Sequence, residues 1–215
     1  MISIENLLAE ISIVPVIYKP LGECLVENTG GGTPSKAVAQ YWNGTIPWAS
    51  VGDLPDDRAE VLETRNHITE EGLKGSSSNL IRAGQLIVAV KISPGKMRIA
   101  GVDLAINQDL RGLTLTPNLL PKFVYYYFQT IEVIGNGTIV QGITKNYLES
   151  IPIPIPRLEV QEAIVEILDT FTALEAELKA ELNARKKQLS ALIDSIYSDA
   201  VPTIPMVTLA EFADL

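Results

Sequence analysis

Residues 141–199, QGITKNYLESIPIPIPRLEVQEAIVEILDTFTALEAELKAELNARKKQLSALIDSIYSD, carry the strongest pattern in the chain. Ile151, Ile153 and Ile155 alternate there with Pro152, Pro154 and Pro156. In a strand, residues two apart share a face and direct their N–H groups to one edge. Three isoleucines therefore line a core while three missing donors fall together, which predicts an edge strand or extended connector pairing on one side only. Beyond Pro156 the period becomes helical: Ile164, Ile167, Phe171, Leu174 and Leu178 follow the three-four alternation of a coiled-coil seam. After a stutter the pattern resumes at Leu182, Arg185, Leu189, Leu192 and Ile196. No glycine or proline interrupts residues 159–199, and Pro202 marks the stop. At 1.5 Å per residue such a helix spans roughly 60 Å. One reading lays it on the core of its own domain. The reading its length favours gives its seam a second helix from another domain or chain.

The remainder of the chain fits one domain with a real core plus this appendage: 215 residues, 47% hydrophobic and 20% charged. No run approaches a membrane span, and MISIENLLAEIS carries no basic segment ahead of its apolar residues, so no secretory signal is expected. Cys24 is the single cysteine, which excludes an internal disulfide and fits a reducing cytoplasm. The net charge of −9 argues against a nucleic-acid partner until its distribution is considered. Residues 74–122 hold seven basic groups (Lys74, Arg82, Lys91, Lys96, Arg98, Arg111, Lys122) and two acidic ones, net +5. Such clustering suits a phosphate-contacting surface, or it neutralises the acidic segment before it.

Residues 3–12 read as a short amphipathic helix capped by Ser3. A strand is expected over 17–26, then a glycine-rich loop over 28–35 whose spacing to Lys36 does not match a Walker loop. Asn43-Gly44 predicts a turn leading into a short apolar run with Trp48 in the core. Residues 68–80 read as a polar loop whose Ser76, Ser77, Ser78 and Asn79 either meet DNA or form a solvated turn. Leu86–Val90 is the strongest strand, and Lys91, Lys96 and Arg98 are expected around the turn after it, with a second strand over 97–106. Residues 119–130 have helical spacing with five aromatics, read as core rather than as a base-stacking platform. A second glycine-rich loop over 133–146 offers Gln141, Thr144 and Lys145. The tail VPTIPMVTLAEFADL echoes VPVIYKPLGECLVE 188 residues earlier, as if a second repeat began there.

IPWASVGDL, ITEEGLKGSSSNL, the basic strands ending AINQDL and above all ITKNYLESIPIPIPRLEVQEAIVEILD resemble the specificity subunits of type I restriction–modification systems, from about residue 14 to 200. The resemblance implies an α+β fold, with one mixed α/β target recognition domain followed by a long C-terminal coiled-coil helix. The corresponding boundaries are a short helix at 1–13, the recognition domain at 14–156, a dimerisation or spacer helix at 157–200 and the repeat-like tail at 201–215. It further implies double-stranded DNA as partner, methyltransferase subunits docked beside the helix and, through them, a restriction subunit. In the family two such units share one chain and each reads half of an interrupted site. A single unit implies a half-subunit that homodimerises, reading an interrupted palindrome.

No residue is expected to be catalytic and none to bind a metal. Methyltransferase and nuclease motifs are missing, and His67 and Cys24 are each the sole member of their type. S-adenosylmethionine is expected only in the partner methyltransferase. Lys91, Lys96, Arg98 and Arg111 are candidates for the phosphate backbone, and Ser76–Asn79, Gln141, Thr144 and Lys145 for the grooves. The alternatives are a recognition module of a fused restriction–methylation enzyme and a protein–protein adaptor with no DNA role.

Overall fold

The structure, a computed structural model, describes residues 16–137 and 141–200. The helix expected over residues 1–13 and the echo at 201–215 lie outside the described residues. β1 (Ile17–Pro20) passes through a 3-10 turn, Leu21–Cys24, into β2 (Leu25–Gly30). The single strand expected over 17–26 is thus broken. Pro20 offers no N–H, and the next amide, Leu21, donates out of line to Ile151 O at 2.8 Å, burying Leu21 and Cys24 in the corner.

β3 (Trp42–Ala49) continues through Asn43-Gly44, where the dipeptide predicts a turn. A bulge takes its place: Asn43 adopts φ 60 and the register slips between Trp42 and Ile46. Only glycine fits next, because a Cβ on Gly44 would collide with Ile68 O. β4 (Glu60–Val61) and β5 (Asn66–Ile68) follow, the latter holding His67. The polar stretch 68–80 contains a helix, α1 (Glu70–Lys74), as well as loop. Thr69 Oγ1 caps it by accepting from Gly72 N at 3.1 Å, and Glu70, Glu71 and Lys74 suit its dipole.

β6 (Asn79–Ile81), β7 (Leu86–Ala89), β8 (Met97–Ala100), β9 (Leu104–Ile106) and β10 (Leu110–Leu115) complete the central part. The strand expected over 97–106 divides between two sheets. Asp103 pins the crossover by accepting from Ala83 N at 2.9 Å and Arg82 Nη1 at 2.6 Å. α2 (Pro121–Phe128), α3 (Lys145–Ser150), β11 (Pro152–Ile155) and α4 (Leu158–Ala200) close the order.

The strands form a five-stranded sheet β2-β10-β7-β8-β4, a four-stranded sheet β5-β3-β9-β6 and the antiparallel pair β1-β11. β11 pairs with β1 alone among the described strands, as its prolines require, and Ile151 and Ile153 enter the core. β7 explains the uncharged run LIVAV, because both of its faces are buried. Leu86 and Val88 join α2, α3 and β11 in one core, while Ile87 and Ala89 join Ile81, Leu104, Ile106 and Leu110 in the other. α2 places Phe123, Val124 and Phe128 in the first core, as expected of that aromatic stretch.

Two compact units result, one ending at Glu166 and one from Ile167 onward. The start of α4 belongs to the first, where Ile164 and Val165 pack against the core and Gln161 is fully buried. In the second, Phe171, Leu174, Leu178, Leu182, Leu189, Leu192 and Ile196 are all exposed, whereas Ile167 is half-buried. No helix among the described residues is long and apolar enough to cross a membrane.

The 3-10 turn Val51–Asp53 gives a pH-dependent prediction. The Asp53 side chain is 1% exposed. Burial pushes its carboxyl up, but bonds from Arg65 Nε (2.8 Å), Ser50 Oγ (2.6 Å) and the Ser50 and Arg65 amides outweigh that and hold it below the ordinary carboxylate value. A depressed folded pKa stabilises the protein above the unfolded value of about 3.9 and loses that contribution as pH falls through the folded value. Melting temperatures followed from about pH 6 down through the carboxylate range will therefore drop less steeply for Asp53→Asn than for the wild type. Parallel curves would remove Asp53 from the acid-sensitive set.

Candidate nucleic-acid interface

The residues nominated from sequence fall in three places. The first surrounds α3. Thr144 is its N-cap, with Oγ1 accepting from Tyr147 N at 3.1 Å. Thr144 and Tyr147 line a hollow of about 690 Å³ with Lys91, Ile92, Asp109, Asn136, Gly142 and Ile143. Lys91 Nζ stands 3.6 Å from Asp109, and Gln141 O accepts from Ile92 N at 2.9 Å while the Gln141 side chain is exposed. Ile92 has φ 69, a backbone state that a β-branched residue adopts only under constraint. Lys145 Nζ lies 3.6 Å from Glu149, one helical turn on. Glu149 also accepts from Asn28 Nδ2 at 2.8 Å, and Asn28 in turn accepts from Arg111 through both its amide and backbone oxygens. Arg111 and Lys145, 34 positions apart in sequence, thus share one network. Burial lowers the Arg111 pKa, with Glu149 opposing.

The second place is the underside of the glycine-rich loop. Ser78 is buried, its Oγ donating to Ile106 O at 2.9 Å, and Ser76 Oγ accepts from Ser78 N at 3.2 Å. Asn79 Nδ2 donates to Gly30 O at 2.8 Å, while Ser77 is exposed but backs directly onto Gly32. A Cβ on Gly31 or Gly32 would strike the backbone of Asn107 or the side chain of Ser77. The glycines therefore serve close packing and leave no cradle for a phosphate.

The third place holds Lys96 and Arg98. Lys96 Nζ meets Asp56 Oδ1 at 2.5 Å. Arg98 is 5% exposed, donates to Pro55 O and Met97 O at 2.6 Å each, and lies 5.8 Å from the Tyr125 ring centroid. Its guanidinium is committed to joining β8, α2 and the 55–56 turn. The turn after β7 thus sends Lys91 and Lys96 to different acids, Asp109 and Asp56. Pairing across long sequence separations, which composition does not reveal, decides this.

Sequence reasoning passed over a fourth place. Trp42 and Trp48 meet edge to face, with centroids 5.3 Å apart and planes at 83°, and a groove of about 340 Å³ runs beside them, lined also by Lys36, Asn43 and Asn66. Trp48 is core, as expected, with Nε1 bound to Gly32 O at 3.1 Å. The available signal was the pairing of the only two tryptophans with an Asn-Gly dipeptide.

The comparisons with known proteins agree with one another. The family described as type I restriction modification DNA specificity domain matches residues 19–184. The chain is 33% identical over 204 residues to the EcoR124I/EcoR124II specificity subunit of Escherichia coli, covering 87% of this chain and 49% of that one. It is 26% identical to the MjaIX specificity subunit of Methanocaldococcus jannaschii, covering 82% and 42% respectively. The chain therefore spans about half the length of these relatives. Among solved structures, a chain from a study of complex assembly in the type I R-M system superposes with TM-score 0.72 at 21% identity, over 90% of this chain and 50% of that one. The HsdS subunit from Thermoanaerobacter tengcongensis superposes with TM-score 0.58 at 22% identity, over 78% and 40%. These likenesses confirm the α+β architecture with its long helix. With the family match running from β1 well into α4, the chain belongs to the type I restriction–modification DNA specificity family.

Proposed function

We propose that this chain is the sequence-reading component of a type I restriction–modification assembly. It recognises one half of an interrupted DNA site, docks methyltransferase subunits beside α4, and pairs with a second copy of itself through the same helix. Methyl transfer from S-adenosylmethionine, and cleavage by a restriction subunit, belong to those partners. The chain itself supplies recognition and no chemistry, and it acts in the cytoplasm.

The observation that carries this reading is the run of exposed apolar side chains from Phe171 to Ile196 on a helix that follows a family-typical recognition domain. A ridge of that length in water is stabilised by a partner rather than by propensity alone. The surface around α3 supports the DNA role. Lys91 and Lys145 are half-exposed, and each faces its carboxylate at 3.6 Å. The lysine ends of these pairs remain open to solvent and each contact is long, so a phosphate can compete for both cations.

The test is coexpression with a type I methyltransferase subunit, followed by methylation mapping on random-sequence DNA. The expected product is an interrupted palindrome, because a two-fold dimer presents identical readers. Methylation of an asymmetric site, or no association with the methyltransferase, would refute the half-subunit reading.

A further inference from the structure

We propose that the groove bounded by Trp42 and Trp48 is the base-reading part of the DNA interface. In this proposal Asn43 and Asn66 each read an adenine edge and Lys36 holds the adjoining phosphate. This deepens the recognition role proposed above and rests on it.

This groove gathers three unengaged polar side chains. Among the described residues Lys91, Lys96, Arg98 and Arg111 are all engaged within the chain. Lys36, Asn43 and Asn66 are exposed, and no hydrogen bond or ion pair of their side chains occurs among the described residues. The charge of the walls differs as well. The hollow beside α3 contains Asp109, and the one beside Lys96 contains Asp56 and Glu132. No carboxylate lines the tryptophan groove. Of these three hollows, this is the one in which a polyanionic ligand displaces or buries no acid.

The groove is also held rigid before any ligand arrives. Trp42 Nε1 donates to Ser35 O at 3.2 Å and Trp48 Nε1 to Gly32 O at 3.1 Å, so both indoles are anchored to the loop that carries Lys36. Thr64 Oγ1 accepts from Trp48 N at 3.1 Å and donates to Asn66 O at 2.7 Å, tying the backbone of Asn66 to the same wall. Asn43 sits at φ 60, a conformation that glycine would adopt without strain. The bulge places the Asn43 side chain at the groove while leaving its amide without a partner. A side-chain amide sets an N–H donor beside a carbonyl acceptor, so it donates to adenine N7 while accepting from the N6 amino group in the major groove.

The test uses the assembled complex with its methyltransferase and measures binding to duplexes selected from a random library. Asn43→Gly removes the amide while suiting the backbone, so folding is preserved, and Asn66→Ala removes the second. Each is expected to lower the ratio of specific to non-specific affinity roughly ten- to hundredfold and to relax the methylated motif at one base pair. Lys36→Ala is expected to weaken all duplexes alike and to reduce the salt slope by about one. Variants at 43 and 66 that keep the wild-type motif and discrimination overturn the proposal, as does a uniform loss on every duplex, which would reduce the groove to a phosphate contact. A wild-type complex with no sequence preference overturns the recognition role and this site with it.

Discussion

Replacing Leu178 and Leu182 with aspartate will convert the proposed dimer into a monomer at every concentration accessible to light scattering. Both leucines are exposed within the chain, at 66% and 53%, and both lie on the ridge that begins at Phe171. Burying a leucine stabilises an interface by about 1.5–3 kcal/mol, and a two-fold pairing counts each position twice. Four lost leucines, with four carboxylates in their place, weaken association by well over a thousandfold. The recognition domain should melt as before, because those positions belong to the other compact unit. The flanking ion pairs Glu175–Lys179 (2.6 Å) and Glu181–Arg185 (3.5 Å) join residues four apart on the helix and add only tenths of a kcal/mol each. A variant of unchanged mass in solution, or a wild type that is already monomeric, would end the case for pairing.

Gln161→Leu will destabilise the recognition domain by about 3 kcal/mol or more. Gln161 is fully buried. Its Oε1 accepts from Leu120 N at 2.9 Å, and its Nε2 donates to Asn118 O and Pro156 O, also at 2.9 Å each. One side chain thereby satisfies the backbone at the entrance to α2 and the backbone just before α4. Leucine fills a similar volume but deprives three part-buried backbone groups of this partner, and each lost bond costs about 1 kcal/mol. For a domain of this size the melting temperature should fall by on the order of 10 °C. Calorimetry of the two proteins measures this directly, and coincident transitions would show that water or relaxation replaces the lost bonds.

Gln161 also shows where sequence reading runs out. It stands within PRLEVQEAIVEILD, the stretch most specific to the family resemblance, yet periodicity could place it only on a helix. Its role depends on Asn118 and Leu120, some forty positions earlier. The basic segment behaves in the same way. Composition locates seven cations within residues 74–122, but Lys96 takes its partner 40 positions away and Arg111 takes its own 83 positions away. Arg98, read from sequence as a phosphate candidate, is folded into the domain at 5% exposure.

Patterns confined to a few residues were legible without coordinates. The isoleucine–proline alternation specified a strand with one usable edge, and the heptad spacing specified a helix, because side-chain direction and missing donors follow from the local backbone alone. The buried run LIVAV was likewise readable as a strand. Which cation meets which carboxylate, why Asn43 bulges instead of turning, and which polar groups remain unengaged beside the tryptophans were decided by tertiary contacts. Each depends on segments brought together from distant parts of the chain, and no local period encodes those meetings.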